Sequence, residues 1–135
     1  MVGEKDLQKL ISQMRPMLDP DPYVFCTFAT KSLAQLADYQ PIGLFAETEG
    51  TTAILPLERA RELGLAEAEW FRRITLTVHS SLEAIGLTAA ISSALAARGI
   101  SANVVAAYFH DHVFVPHEKA EDALNALRSL ADEQQ

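Results

Sequence analysis

The sequence is short of most features that would announce a chemistry. It has one cysteine, Cys26, so no intrachain disulfide framework can form. That thiol lies in the apolar run Tyr23-Val24-Phe25-Cys26-Thr27-Phe28 and reads as a small hydrophobe in a strand. No cysteine pair or His-x-x-x-His pattern starts a zinc site. There is no Gly-x-Ser-x-Gly elbow and no glycine-rich phosphate loop. No uncharged apolar run reaches the roughly 18 residues of a membrane span. The first residues lack a basic segment followed by an apolar core, so a cytoplasmic protein is expected. Basic residues are also scarce, with 11 Lys and Arg against 18 Asp and Glu, a formal charge of -7. They are scattered, Arg72-Arg73 being the densest pair. That excludes a nucleic-acid partner, which would need clustered cations against phosphate.

What is present describes a globular chain. Of 135 residues, 49% are apolar and 21% charged, which fits one ordinary domain or two small ones. Two half-size units would each be marginal alone and should pack on each other or on another chain. Residues 4–14 place Leu7, Leu10, Ile11 and Met14 on one helical face. Pro16 and the run Asp19-Pro20-Asp21-Pro22 predict a rigid turn. Residues 23–28 read as a strand, and residues 32–38 as a short helix. Two apolar runs, 42–47 and 51–55, flank Thr48-Glu49-Gly50 and predict a hairpin. Pro56 then opens a helix that Gly64 stops.

The second half carries the same signals. Residues 73–79 alternate, with Ile74, Leu76 and Val78 on one face. Ser80 and Glu83 match a capping box before a helix carrying Leu87, Ala90, Ile91, Ala94 and Leu95 on one face, closed by Gly99. Residues 102–109 are almost wholly apolar and predict a strand buried on both faces. His110-Asp111 is expected to turn the chain into a strand over 112–115. Pro116 starts a last helix striped by Ala120, Ala123, Leu124, Leu127 and Leu130.

The halves repeat. Residues 42–60 align without gaps on 102–120, with Ala46, Pro56, Glu58 and Ala60 identical to Ala106, Pro116, Glu118 and Ala120. A matched hairpin, proline and helix makes chance an unsatisfying explanation. Each half then reads as strand, helix, hairpin, helix, a split βαβ arrangement of α+β class with helices on one sheet face. Two complete βαββαβ units need eight strands, and six are clear. The opening helix and the 23–28 strand could add an edge to either unit.

The stretch His79-Ser80-Ser81-Leu82-Glu83-Ala84-Ile85-Gly86-Leu87-Thr88, followed by Leu95-Ala96-Ala97-Arg98-Gly99-Ile100-Ser101, resembles an ACT domain. The hairpin Val104 to Val115 is similar to that of aspartate-kinase-type ACT domains, and the whole chain resembles small stand-alone proteins with two ACT domains. The resemblance implies two tandem ferredoxin-like units with antiparallel sheets: an N-terminal unit over 1–68 with a leading helix, and a C-terminal unit over 69–135. It implies amino-acid binding at a domain interface and regulation of a partner enzyme, with no cofactor. Carried over to this chain, the ligand-binding positions are Ser80, Ser81, Glu83, Ile85, Gly86, Leu87 and Thr88, facing Asn103, Val104 and Val105. Ile85-Gly86 stands where the family has an acidic-or-Asn, Pro-Gly turn.

The residues support that chemistry on their own terms. Free N–H groups at a helix start attract a carboxylate, and Gly86 lets a ligand approach the backbone. Glu47, Glu49, Glu83 or Asp111 could meet an ammonium. Plainer readings stand beside these: Gly86 as a packing contact, Glu83 as a helix cap, Asn103 as a strand start. His79, His110 and His112 invite a metal, but they read better as strand and turn residues, so no metal is expected. The leading expectation is a sensor of a small amino acid that works as a homodimer, with no nucleic-acid or membrane partner. The alternatives are a small hydrolase-like enzyme using His110, Asp111 and Ser80, or a ligand-free dimerisation scaffold.

Overall fold

The computed structural model describes residues 6–77 and 86–133. The elements run α1 (Leu7–Ser12), β1 (Pro16–Phe28), α2 (Leu33–Leu36) with a 3-10 turn (Ala37–Tyr39), β2 (Gly43–Ala46), β3 (Thr51–Pro56), α3 (Leu57–Glu62), β4 (Trp70–Leu76), α4 (Leu87–Ala96), β5 (Asn103–Ala106), β6 (Asp111–Pro116), a 3-10 turn (His117–Lys119) and α5 (Ala120–Glu133). They form two compact units. One is Pro20–Phe71, and the other joins Met1–Asp19 to Arg72–Gln135.

In the Pro20–Phe71 unit the strand order is β2-β3-β1-β4, in the other β1-β4-β6-β5. Both are the order of a βαββαβ fold, with the fourth strand beside the first. The eight-strand requirement is met by six because β1 and β4 are each divided between the units. Pro16–Asp19 is the fourth strand of one unit, and Trp70 with Phe71 that of the other. A long strand can do this where two short ones would leave edges unpaired.

The proline-rich segment is therefore strand, contrary to the rigid turn predicted there. Proline and the residue before it favour extended backbone, and the β1–β3 ladder that needs N–H donors begins only at Tyr23, opposite Pro56. Two further expectations change. α4 starts at Leu87, with Gly86 as N-cap; the Ser80–Glu83 capping box lies outside the described residues. The 102–109 strand is only Asn103–Ala106, and it lies at a sheet edge with three of its four residues exposed. Tyr108 and Phe109 are 75% and 64% exposed. They sit in a turn closed by the Ala107 N–H donating to the His110 carbonyl at 3.1 Å. Asp111 thus begins β6 instead of turning the chain.

The repeat holds residue for residue. Gly43 faces Ile54 and Asn103 faces Phe114, the same register 60 residues on. The turn closed by Ala107 and His110 matches one closed by the Glu47 N–H on the Gly50 carbonyl at 3.0 Å. Pro56 (φ -55°, ψ 142°) and Pro116 (φ -54°, ψ 139°) occupy equivalent strand-to-helix junctions.

Each unit buries the helix-facing side of its strands. In the Pro20–Phe71 unit Val24, Cys26, Ala53 and Leu55 pack with Leu36, Leu57 and Ala60. Burial also pushes the Cys26 thiol pKa up, as for an inert core thiol. In the other unit Ile74, Leu76, Val113 and Val115 meet Ile91, Leu95, Leu124 and Leu127. The opening helix joins this second core through Leu10 and Ile11, packing on α4 and α5, and Met14 just after the helix enters the same core.

Candidate functional site

The residues singled out at the start of α4 and on β5 all fall in the unit that joins the two ends of the chain. Of that set, Ser80, Ser81, Glu83 and Ile85 lie outside the described residues, as do His79 and the rest of 78–85. Gly86 takes φ +95°, a left-handed conformation that glycine adopts without strain. A Cβ built there would come within 3.0 Å of Leu7 Cδ2. Among the described residues the tip of Leu7 on the opening helix is what a side chain at 86 would press on, and the left-handed backbone is what favours glycine there. Leu87 is buried in the core, and Thr88 is exposed. The N-cap residue of α4 is Gly86, which has no side chain to cap the helix, whereas α1 is capped by Asp6 and α2 by Ser32. Free N–H groups at such an end need an acceptor from elsewhere.

On β5, Val104 packs against the core, while Asn103 and Val105 are exposed on the opposite sheet face. Antiparallel register sets Asn103 opposite Phe114 and Val105 opposite His112.

The same face carries a polar cluster that sequence reading did not find. Because Ile74 and Leu76 enter the core, Arg73 and Thr75 point the other way. Thr75 Oγ1 lies 2.9 Å from His112 Nδ1. Arg73 Nη2 donates to Asp19 Oδ2 at 3.0 Å, and Arg72 Nε to the Asp19 carbonyl at 2.9 Å. Burial lowers the His112 pKa, and the charges of Arg73 and His110 push it the same way. Asp111 is 9% exposed. Burial raises its pKa, and His110 opposes the rise. The pairing of Asp19 with Arg73 is invisible in sequence because it spans 54 residues. Among the described residues no group of three His, Cys, Asp or Glu side chains could hold a metal. No helix there is long and apolar enough to cross a membrane. The Ser80 of the hydrolase-like alternative lies outside the described residues.

Comparison with known proteins adds to this geometry. One ACT-domain family profile matches residues 2–72 and a second matches 72–129. A Vibrio cholerae protein of unknown function, described as a possible transport protein, is similar at 52% identity and a TM-score of 0.81, over 88% of this chain and 91% of that one. The ligand-free regulatory subunit of aspartate kinase from Thermus thermophilus is similar at 17% identity and a TM-score of 0.56, over 85% of this chain and 95% of its own. The aspartate kinase of Clostridium acetobutylicum is similar at 8% identity and a TM-score of 0.65, over 85% of this chain and 34% of its own. At those two identities the likeness concerns the fold alone. No curated protein sequence matches the chain.

Proposed function

Since the chain belongs to the ACT-domain family and carries two such domains in tandem, we propose that it is a non-catalytic regulatory module of the cytoplasm that binds a small amino acid. Its two repeats are taken as 1–68 and 69–135. The observation that carries the reading is the start of α4, a ten-residue helix whose N-cap residue, Gly86, brings no capping side chain. Its first-turn N–H groups suit a ligand carboxylate, and the exposed hydroxyl of Thr88 adds a donor beside them. We assign Ser80, Ser81, Glu83, Ile85, Gly86 and Leu87 to this site on one copy, and Asn103, Val104 and Val105 to the strand that a neighbouring copy brings to it, since Asn103 and Val105 of the same chain lie on the sheet face away from the core that α4 joins. Hydroxyl and N–H donors can hold a carboxylate without a cation, which suits a chain of charge -7.

The module acts as a homodimer that passes the signal to a partner enzyme. Support comes from the edge strand β5, where Val105 is 38% exposed. An open edge with apolar side chains is a pairing surface. A dimeric mass by light scattering at micromolar concentration is the expected result, and a monomer contradicts it.

A thermal-shift screen of the twenty amino acids on the full chain tests the sensor. At least one should raise the melting temperature, because a ligand specific to the folded state stabilises it by mass action. Thr88→Ala should weaken that shift, as should Asn103→Ala. A wild-type protein that no amino acid stabilises sinks the reading.

A further inference from the structure

A cleft lies in the same unit, between the end of α1, the start of β1 and the last turns of α5. It is open, has a volume of about 560 Å³, and is lined by Ser12, Arg15, Pro16, Met17, Thr77, Arg128, Ala131 and Asp132. Its chemistry comes from two arginines, Arg15 and Arg128, because the hydroxyls of Ser12 and Thr77 already donate to the Lys9 and Arg15 carbonyls at 3.0 Å each. Its apolar wall includes Met17, which is 63% exposed. Among the described residues neither guanidinium has an ion pair or a side-chain hydrogen bond, although Asp132 lines the same cleft. Two cations left without carboxylates are notable where acidic side chains outnumber basic ones 18 to 11.

The backbone at Arg15 supplies an independent observation. Its φ is +39°, a region that side chains other than those of Gly and Asn occupy at a cost. The following Pro16 restricts it further. The conformation is held from outside: the Thr77 N–H donates to the Met14 carbonyl at 2.9 Å, and Thr77 Oγ1 donates to the Arg15 carbonyl at 3.0 Å. Glycine would meet the same geometry with less strain, yet the chain keeps an arginine there. Strain retained at a side chain that lines a cleft points to a use for that side chain.

We propose that this cleft binds a small anionic molecule through a carboxylate or phosphate group held between Arg15 and Arg128. Guanidiniums recognise both oxyanions through paired N–H donors, and the Met17 side of the cleft accommodates the apolar part of the ligand. The proposal is independent of amino-acid binding at the start of α4.

The test is a titration of the full chain, followed by the amide NMR signals of residues 12–17 and 128–132 at low ionic strength, because salt screens exposed charges. Succinate and inorganic phosphate are the two probes, with chloride as control. Either probe should move these signals saturably where chloride does not, and the stronger one identifies carboxylate or phosphate as the group recognised. Arg128→Gln should weaken binding roughly tenfold, the loss of one charge-assisted hydrogen bond. Arg15→Gly and Arg15→Asn should weaken it similarly while leaving the melting temperature equal to wild type or higher, since both residues suit the left-handed backbone. A merely structural Arg15 would give the opposite pair of results: lower stability and unchanged binding. The proposal is overturned if neither probe saturates, or if all three variants bind as wild type does. Thr88→Ala should not alter this titration, so its failure is distinct from failure of the sensor.

Discussion

The two units are drawn from one template and loaded differently. Up to Pro56 and Pro116 they match in register, turn and backbone angles. Past the prolines they part. In the Pro20–Phe71 unit the following helix is six residues long. In the other it is fourteen residues and is joined by α4 and the opening helix. The smaller core contains Ala53, Ala60 and Cys26 among its seven buried residues, so it has few large side chains to contribute. The difference teaches that the hairpin–proline element specifies strand pairing and chain direction. The amount of apolar surface brought by the helices specifies how stable each copy becomes.

The strongest way to break the comparison is through the opening helix. Leu10→Ala removes a side chain that is 1% exposed and should cost about 2–4 kcal/mol. Native-state hydrogen exchange should show the loss of protection in α5 before β3, because Leu10 packs in the α4–α5 core. Equal loss in both would mean that the opening helix does not belong to one unit.

Gly86 sharpens it next. Gly86→Ala should destabilise by about 1–2 kcal/mol, from the left-handed backbone and from the Leu7 contact at 3.0 Å. Gly99, also left-handed at φ +70°, has nothing within 4 Å of its would-be Cβ, so Gly99→Ala should cost less in urea denaturation. The reverse order would show that Leu7 does not press on Gly86.

The prolines test equivalence itself. Pro56→Ala and Pro116→Ala should each lower stability by about 0.4–1 kcal/mol, chiefly by freeing the unfolded chain. Their effects should be alike because their backbone angles are alike. Calorimetric values that differ several-fold would show that the two junctions do different jobs.

The smallest expected effect is a pH dependence confined to the larger unit. His112 has a folded pKa below the ordinary 6.5, so the unfolded chain binds a proton first as pH falls. Its contribution is present above that value and is lost as pH drops from 6.5 toward the lower folded pKa. His112→Gln should therefore flatten the fall in melting temperature between pH 7 and pH 5. Asp111 acts in the other direction at lower pH. Its pKa is raised by burial, so protonating it favours the fold. A wild-type curve that His112→Gln leaves unchanged would remove His112 from the account.

Much of this protein was legible from its residues alone. Apolar periodicity found six strands and the helices, and the 60-residue repeat located both hairpins and both prolines, because these depend on contacts close in sequence. The ACT-type fold followed from their order and from the 79–101 segment. Only tertiary structure decided how those elements were shared. Pro16 and Pro20 carry turn signals locally, yet they extend as strand because β1 runs on to serve both units. The apolar run over 102–109 promised a buried strand, but β5 lies at the sheet edge, where among the described residues only β6 pairs with it. At the candidate site, sequence supplied Gly86 and Thr88 as positions. It could not tell that Leu7 would crowd the first, or that Arg15, Thr77 and Arg128 would line one cleft. Those relations join residues tens to more than a hundred positions apart, and no local propensity encodes a distance between them.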